Sequence, residues 1–335
     1  MTNFLPHIGL DIGSNNIKAV VLNKKGEVFS LAGFGKIAMP EKGLEGETKV
    51  ELKTVSDAIS KLLKEIKTNI KEVALALPEA QIFTRVIEMP IMSEAEMASA
   101  IKWEAEQYVP LPLSEASLDF TILDKKEADN KMNVLLVAAP TALINKYKTI
   151  VEETGLSLTA IETEITSLSR AFMDQEENAP VTAIIDIGGQ TSCLAIMKQG
   201  ILAFTRSIQV GGISLTRAIA QSLSLEEEQA ENYKKTYGLA QDKMDGKVRE
   251  AILPIIEVLC SEIKRGIAAY QAKEKDNPVQ RIVLAGGTNL MPGLVVHLAE
   301  DIGVETQIGD PGFSEFGEEA SLYSLAVGLA KRSGE

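Results

Sequence analysis

The sequence is poor in the residues that build disulfides, zinc sites and hydrolytic triads. Its 335 residues include two cysteines and two histidines. Cys193 lies in a predicted strand and Cys260 in a predicted apolar helix, so we expect both to be small buried side chains in a reducing compartment. No Cys/His cluster surrounds His7 or His297. The sequence therefore predicts neither a zinc site nor a Ser-His-Asp arrangement.

Excess positive charge and long apolar runs are also missing. The net charge of −13 argues against nucleic acid as a ligand, because phosphate backbones need a basic face. A negative net charge does not exclude a nucleotide ligand, since a nucleotide needs only a local cluster of hydrogen-bond donors and a metal ion. The N-terminus lacks the form of a signal peptide, and no apolar run reaches membrane-spanning length. We therefore expect a cytosolic protein without direct membrane insertion, which needs a partner for any work at a membrane.

The first feature that is present is a predicted β-hairpin near the N-terminus. Residues 8–12 alternate apolar side chains with small or acidic ones, and a second strand begins at Ile17. Residues 13–16, here named the first turn, are rich in Gly, Ser and Asn. These residues tolerate the positive φ angles with which several backbone N–H groups can face one anion. Asp11 stands where it could hold a metal ion, and Lys18 is a cation just beyond the turn.

A second copy of this layout begins at residue 183. Asp186 stands in a short apolar strand, and residues 188–191, here named the second turn, lead into another predicted strand. One such pattern alone is more often an ordinary hairpin turn. Two copies about half a chain apart predict an internally duplicated fold, and the chain is long enough for two domains of ordinary size.

A third glycine-bearing turn follows the predicted strand at residues 279–284. Residues 286–289, here named the third turn, read Gly-Gly-Thr-Asn. Ligands of α/β proteins bind beyond such strand ends. Asp11 and Asp186 would repel a triphosphate unless a hard cation lay between them, so they imply Mg²⁺ bound through water. The third turn has no carboxylate and predicts backbone contact with a purine or ribose. Neither GxxxxGK nor a GxGxxG that opens a helix occurs.

Between the two hairpins the sequence predicts a helix over residues 52–70 and then a separate small unit from about 80 to 140. The unit has the order β-α-β-β-α, typical of a small α+β sandwich. Its first helix begins with a capping box at Ser93, and we expect Met97, Ile101 and Trp103 on its apolar side. The polar stretch 174–180 is the predicted domain boundary.

The order of these features resembles the actin-like ATPases, and within them most closely the PilM family of type IV pilus assembly proteins. The segments that carry the resemblance are residues 9–19 (GLDIGSNNIKA), 108–113 (YVPLPL), 160–164 (AIETE), 168–171 (LSRA), 230–238 (AENYKKTYG) and 323–329 (YSLAVGL). The resemblance covers nearly the whole chain. It implies an α/β, actin-like (ribonuclease H-like) duplicated fold with a small α+β inserted domain.

The resemblance also implies four subdomains. They are a first core subdomain at residues 1–79 and 157–180, an inserted subdomain at 80–156, a second core subdomain at 181–213 and 279–335, and a helical subdomain over the nucleotide cleft at 214–278.

Site roles follow from the resemblance position by position, with ATP or ADP and Mg²⁺ as the expected ligands. The implied nucleotide contacts are Ser14, Asn15, Asn16 and Lys18 in the first hairpin, Gly188, Gly189, Gln190 and Thr191 in the second turn, Gly286, Gly287 and Asn289 in the third turn, and Glu231 and Lys234 on a helix near ribose and adenine. Asp11 and Asp186 are the implied metal-side carboxylates. From the sequence alone, Glu231 and Lys234 would be a solvated helix face.

Two glutamates are the candidates for positioning a catalytic water. Glu162 and Glu164 stand where a carboxylate could orient water toward a γ-phosphate, and the alternative is that at least one of them caps the following helix. The second turn carries Gln190, and Ser192 follows it, where the superfamily has small residues. We therefore expect at most slow ATPase activity and a nucleotide-held scaffold rather than a turnover enzyme.

The partner implied by the resemblance is a PilN-like bitopic inner-membrane protein, whose cytosolic N-terminal segment docks between the first core and the inserted subdomain. The strand at 83–89 and the helix at 103–108 are the candidate contacts. The chain would then lie in the cytoplasm at the inner face of the plasma membrane and link this partner to the pilus motor ATPases. Homo-oligomer formation stays open.

Three alternatives remain. A cell-division tether of the FtsA type needs an amphipathic membrane helix after the core, whereas this sequence ends directly after its closing helix. A type II secretion homologue would share the same architecture. A small-molecule kinase would need an Asp base facing a polar cleft, and the sequence offers none beyond the two metal positions.

Overall fold

The computed structural model describes residues 5–41, 43–46, 48–173, 179–240 and 243–332. The chain divides into two compact units. Unit 1 comprises Met1–Arg170, Ile201–Thr205 and Leu325–Glu335, and unit 2 comprises Ala171–Gly200 and Arg206–Ser324.

The strands and helices follow one another in the order that the hydrophobic patterns predict. The strands are β1 Ile8–Ile12, β2 Asn16–Lys25, β3 Val28–Ala38, β4 Glu72–Leu77, β5 Phe83–Pro90, β6 Ala116–Lys126, β7 Lys131–Pro140, β8 Ser157–Thr163, β9 Thr182–Ile187, β10 Ser192–Lys198, β11 Ile201–Ile208, β12 Arg281–Ala285 and β13 Glu305–Ile308. The helices are α1 Lys49–Glu65, α2 Glu94–Tyr108, α3 Thr141–Glu153, α4 Glu164–Phe172, α5 Gly212–Leu223, α6 Glu227–Tyr237, α7 Lys247–Gln271, α8 Leu294–Ile302 and α9 Ser324–Ala330.

Two five-stranded sheets share one plan. The first has the order β3-β2-β1-β4-β8 and the second β11-β10-β9-β12-β13. In each, an antiparallel hairpin (β1 with β2, β9 with β10) continues through two parallel pairings. The repeated order confirms the predicted duplicated α/β fold. Because the carboxyl ends of parallel strands share an edge, the second and third turns leave the same edge of their sheet.

The closing helix α9 packs closely on the first sheet of unit 1. A Cβ atom on Gly9 of β1 would lie 2.0 Å from the carbonyl oxygen of Ala326. A Cβ on Gly328 would lie 1.9 Å from the carbonyl oxygen of Ser167 in α4. Glycine at both positions therefore allows backbone-to-backbone contact, as the Ala- and Leu-rich closing segment predicts.

The inserted unit has the predicted order β-α-β-β-α. Its three strands pair as β5-β7-β6, so β7 is central and β5 lies at an edge. Met97 and Ile101 of α2 are buried in its apolar core, as expected. Trp103 was expected on the same apolar side, and this is wrong, because 64% of its surface is exposed.

Helix α1 begins earlier and ends earlier than its apolar pattern predicts. A capping box at Thr48 and Glu51 starts it, and the backbone turns at Lys67, where φ is +55°. The predicted boundary at 174–180 lies largely outside the described residues, and the four-subdomain division stays a prediction. Both cysteines are buried, and neither forms a disulfide. Within the described ranges, no helix is long and apolar enough to cross a membrane.

Candidate functional site

The first turn in unit 1 is closed by its own backbone. The amide of Gly13 donates to the carbonyl oxygen of Asn16 at 3.1 Å, and the Asn15 carbonyl accepts from the Met39 amide at 2.9 Å. Ser14 and Asn15 are exposed at the tip. These bonds fix the turn while its polar tip stays accessible.

Asp11 and Lys18 face each other across the same hairpin. They are opposite in the β1–β2 register, and Lys18 Nζ lies 2.6 Å from Asp11 Oδ2. Asp11 is buried, and its other oxygen, Oδ1, would lie 3.6 Å from a Cβ atom at Gly13. Lys18 therefore neutralises one side of the carboxylate, while the other side adjoins the first turn.

The two candidate glutamates for water positioning have different surroundings. Glu162 forms ion pairs with Arg170 and Arg332. Burial raises the pKa of Glu162, and the two arginines offset only part of that effect. Glu164 instead opens α4, and its Oε2 accepts from the Glu79 amide at 3.0 Å. The N-cap of α4 is Thr163, whose hydroxyl accepts from the Thr166 amide at 3.2 Å. Glu162 thus has structural partners, whereas Glu164 lies at the carboxyl edge of β4 and β8.

Two residues at this edge were not predicted. Tyr147 of α3 is buried, and its hydroxyl has no hydrogen-bond partner among the described residues. Burial, and then the negative charges of Glu164 and Asp11, raise the pKa of this phenol. Glu79 supplies the amide that holds Glu164. Neither Tyr147 nor Glu79 belongs to a recognisable sequence motif. The sequence marks only the position of Glu79, through the preceding Pro78 that ends β4.

The second turn in unit 2 is anchored to the start of α5. The Gly188 amide donates to the Thr191 carbonyl at 3.0 Å. In turn, the carbonyls of Gly188 and Gly189 accept from the amides of Gly212 and Ile213 at 2.9 and 2.8 Å. Gln190 is exposed at the tip.

The third turn lies directly against the second hairpin. A Cβ atom on Gly286, whose φ is +83°, would lie 2.5 Å from Asp186 Oδ1. Thr288 Oγ1 lies 3.5 Å from the Gly188 carbonyl. Asn289 is buried, donates to the Leu284 carbonyl at 3.1 Å and accepts from the Ser321 hydroxyl. Its side chain therefore supports the turn from within, and the backbone of the turn lies beside Asp186.

Glu231 and Lys234 of α6 form a buried network with α5. Lys234 Nζ lies 2.6 Å from Glu231 Oε2, 2.9 Å from Thr216 Oγ1 and 3.0 Å from the Gly212 carbonyl. Burial lowers the pKa of Lys234 although Glu231 opposes it. Burial alone would raise the pKa of Glu231, but hydrogen bonds from Lys234 and Thr216 outweigh it, and the pKa is lowered. The solvated face that charge patterning suggests is thus an ion pair within α6, and its lysine also forms hydrogen bonds with α5.

The structure therefore groups the expected residues within each unit. Unit 1 places Asp11, Lys18 and Glu164 around the end of its parallel strands, and unit 2 places Asp186 beside the second and third turns. No cluster of three or more His, Cys, Asp or Glu side chains suited to a metal occurs in the described parts of the chain. Mg²⁺ commonly uses one or two carboxylates with waters and phosphates, so Asp11 in unit 1 and Asp186 in unit 2 are each, taken singly, of the chemical type that this ion prefers.

Comparison with known proteins identifies the fold family. A chain of the PilM-PilN type IV pilus biogenesis complex superposes with a TM-score of 0.87 at 25% identity, over 99% of this chain and 100% of that one. MreB 5 of Spiroplasma citri bound to AMPPNP superposes with a TM-score of 0.56 at 17% identity, over 96% and 94%. It shares the actin-like fold.

Among curated proteins, the cell division protein FtsA of Bacillus subtilis (strain 168) is 24% identical over 383 aligned residues, which cover 98% of this chain and 83% of that protein. This similarity is distant. The family described as "Type IV pilus assembly protein PilM" matches residues 9–333. The chain therefore belongs to the PilM family of type IV pilus assembly proteins.

Proposed function

We propose that this chain is an ATP-binding scaffold of the type IV pilus machinery that docks the N-terminal segment of a PilN-like bitopic inner-membrane protein. The observation that carries the proposal is the whole-chain similarity to a protein solved together with PilN. In this role the chain lies in the cytoplasm at the inner face of the membrane, held there by its partner. The motor ATPases are its further proposed contacts.

The inserted unit offers two surfaces for such a segment. Strand β5 lies at the edge of its sheet, where an extended peptide can add as a further strand. Helix α2 presents Trp103, and its last residue, Tyr108, carries the Arg85 guanidinium of β5 over its ring at 4.0 Å. The cation–π contact joins β5 to α2, so one segment could contact both.

A binding assay with the partner's N-terminal peptide tests the docking proposal. The wild-type chain should retain the peptide, and Trp103→Ala should weaken binding roughly tenfold or more, because exposed tryptophans are common energetic centres of interfaces. Val296→Ala, which changes an exposed apolar residue of unit 2, is the matched control. If the wild-type chain does not bind the peptide, either with or without ATP, the docking role is contradicted.

Nucleotide binding is the second part of the proposal. The supporting features are the three turns, with Asp11 and Asp186 for Mg²⁺, on a fold that binds AMPPNP in MreB 5. Mg²⁺ bound there would offset the charge of the phosphates. The protein's own contribution is to present backbone amides at the turns and to hold Asp11 beside Lys18.

Equilibrium binding of labelled ATP tests the assignment of Asp11. Asp11→Ala should abolish Mg²⁺-dependent binding, whereas Asp119→Ala, which removes an exposed carboxylate of β6, should leave it unchanged. Undiminished binding by the Asp11 variant would refute the assignment.

Hydrolysis is proposed to be slow, with Glu164 as the water-orienting residue. Steady-state phosphate release should fall well below about ten per second, a common enzymatic turnover rate. Glu164→Gln should lower it further without weakening ATP binding. Turnover at an ordinary enzymatic rate would favour an enzyme over a scaffold.

A further inference from the structure

We infer that the Tyr147 hydroxyl and the Glu164 carboxylate bind one buried water between them, at the carboxyl edge of β4 and β8. Tyr147 is then a positioning residue, because it holds this water on the carboxylate that orients water in the proposed hydrolysis. The effect on hydrolysis rests on the proposed function, whereas the water site itself needs only residues of unit 1.

Tyr147 lies where the parallel strands of unit 1 end. Its side chain belongs to the apolar cluster that contains Ile12, the last residue of β1, and Leu77, the last residue of β4. Glu164 directly follows β8, which pairs with β4 in the same sheet. The charges of Glu164 and Asp11 both act on the phenol, and such effects decline with distance. The hydroxyl therefore lies near both carboxylates at this edge of the sheet.

The hydroxyl of Tyr147 lacks a partner of its own. The residue is 1% exposed, and none of the residues that the structure describes forms a hydrogen bond with this hydroxyl. A buried hydroxyl without a partner costs free energy, which a phenylalanine in the same place would avoid. Buried waters commonly satisfy such groups and make about three hydrogen bonds each. A water here can accept from the phenol and donate to a carboxylate.

The donor and the acceptor of this pair are both well defined. Burial, and then the charges of Glu164 and Asp11, raise the pKa of Tyr147, so the phenol keeps its proton and remains a donor. The Glu79 amide donates to Glu164 Oε2 at 3.0 Å and holds this carboxylate from the end of β4. A carboxylate has about four lone-pair sites, so it can accept from a water as well.

Asp11 is the less suitable acceptor for the same water. The residues on either side of it in β1 face the apolar cluster of Tyr147. Because successive side chains of a strand alternate, Asp11 points to the other face of the sheet. Its Oδ2 also lies 2.6 Å from Lys18 Nζ. We therefore assign the water to Glu164.

A crystal structure of the nucleotide-free chain, at a resolution that shows ordered water, tests the site directly. We expect a water within hydrogen-bonding distance of both the Tyr147 hydroxyl and the Glu164 carboxylate. Tyr147→Phe, which removes only the hydroxyl, should lose it. A hydroxyl without a bound water, or a water bound to Asp11 in place of Glu164, would overturn the inference.

A double-mutant cycle in urea measures the same link in solution. Tyr147→Phe, Glu164→Ala and the double variant are unfolded without nucleotide. Either substitution alone removes the shared water, so the second one has less left to remove. The combined change in the unfolding equilibrium constant should therefore be about tenfold smaller than the product of the two separate changes.

Tyr270→Phe is the matched control for this cycle. Tyr270 of α7 is also buried, and its hydroxyl also has no hydrogen-bond partner in the described part of the chain. It belongs to unit 2, where the charge that acts on it is that of Glu274. The effects of Tyr270→Phe and Glu164→Ala should simply multiply. If the effects of Tyr147→Phe and Glu164→Ala multiply in the same way, the two residues share no water.

Phosphate release separates positioning from packing. Tyr147→Phe should slow release about tenfold, since it removes a hydrogen bond in a chain that ends on a charged group, and should leave the affinity for Mg²⁺-ATP unchanged. In the Glu164→Ala background the same substitution should have no effect. Equal slowing in both backgrounds, or weakened ATP binding, would contradict the positioning role.

Failure of the water site and failure of the proposed hydrolysis give different results. A wild-type chain without measurable phosphate release refutes the proposed hydrolysis, and the crystal structure and the unfolding cycle still decide whether the water is shared. If Tyr147→Phe does not fold, the wild-type crystal structure decides alone.

Discussion

Glu79 is a carboxyl group buried at the end of β4. Its Oε2 reaches no hydrogen-bond partner in the described part of the chain. Burial raises its pKa to about 7. The nearby Thr84 hydroxyl lowers the pKa of Glu79 by less than burial raises it. The residue whose amide holds Glu164 is therefore itself sensitive to pH near neutrality.

The free energy of unfolding should depend on pH through this residue. An unfolded glutamate titrates near 4.5 and the folded one near 7. Between these values the folded state binds the extra proton, so stability falls as pH rises and levels off above 7. The full effect is on the order of 3 kcal/mol, at about 1.4 kcal/mol per pKa unit.

Glu79→Gln removes this titration and leaves the other carboxyl groups in place. Urea unfolding of both proteins from pH 5 to pH 8 should show wild-type stability falling relative to the variant as pH rises. A difference between the two proteins that stays constant over that range would refute a neutral, buried Glu79.

At the scale of elements, the contact of α9 with β1 is a backbone approach that only glycine permits. Gly9→Ala would drive a methyl group into the Ala326 carbonyl and within 2.6 Å of the Ala330 amide. We expect a loss of about 2 kcal/mol or more in the free energy of unfolding, as for an overpacked core. Gly26→Ala is the control, because its φ of +62° adds strain but its Cβ meets no atom within 4 Å. Equal losses in the two variants would contradict the packing argument.

The elements were predictable wherever the signal was local. Both hairpins, the inserted β-α-β-β-α unit and the capping box at Ser93 follow from residues close in sequence. The start of α1 was also locally encoded, since Thr48 and Glu51 have capping-box spacing, but the acidic and glycine-rich neighbourhood suggested a loop. Trp103 was misplaced because its apolar side chain outweighed the helical period. It lies two residues from both Ile101 and Ala105, about 200° around the helix from each of these core residues, so the period places it on the opposite face.

The site networks were not predictable in the same way. The bond from the Glu79 amide to Glu164 spans 85 residues, and that from Lys234 to Gly212 spans 22. Both depend on which strand ends and helix starts meet in the folded chain. The motifs show where Asp11, Asp186 and the three turns stand in the sequence, whereas the partners of Lys234 and Asn289 depend on tertiary packing.

For the whole molecule, ligand binding should appear as added stability. A ligand that binds only the folded state adds about 2.7 kcal/mol when its concentration is one hundred times its Kd. Mg²⁺-ATP should stabilise the wild-type chain by about this amount in chemical denaturation. Chelation of the metal, or Asp186→Ala, should remove most of the gain. Equal stabilisation by ATP with and without a divalent cation would contradict the proposed metal role of Asp11 and Asp186.

The exposure of Trp103 gives the molecule a built-in optical reporter. It is the one tryptophan in the sequence, and nearly two-thirds of its surface meets water. The native indole emission therefore comes from a single place, the outer face of α2. A partner that buries the indole in apolar surroundings should shift its emission toward the blue, whereas the proposed nucleotide contributes no indole emission of its own. Unlabelled protein thus distinguishes a partner on the inserted unit from a ligand elsewhere.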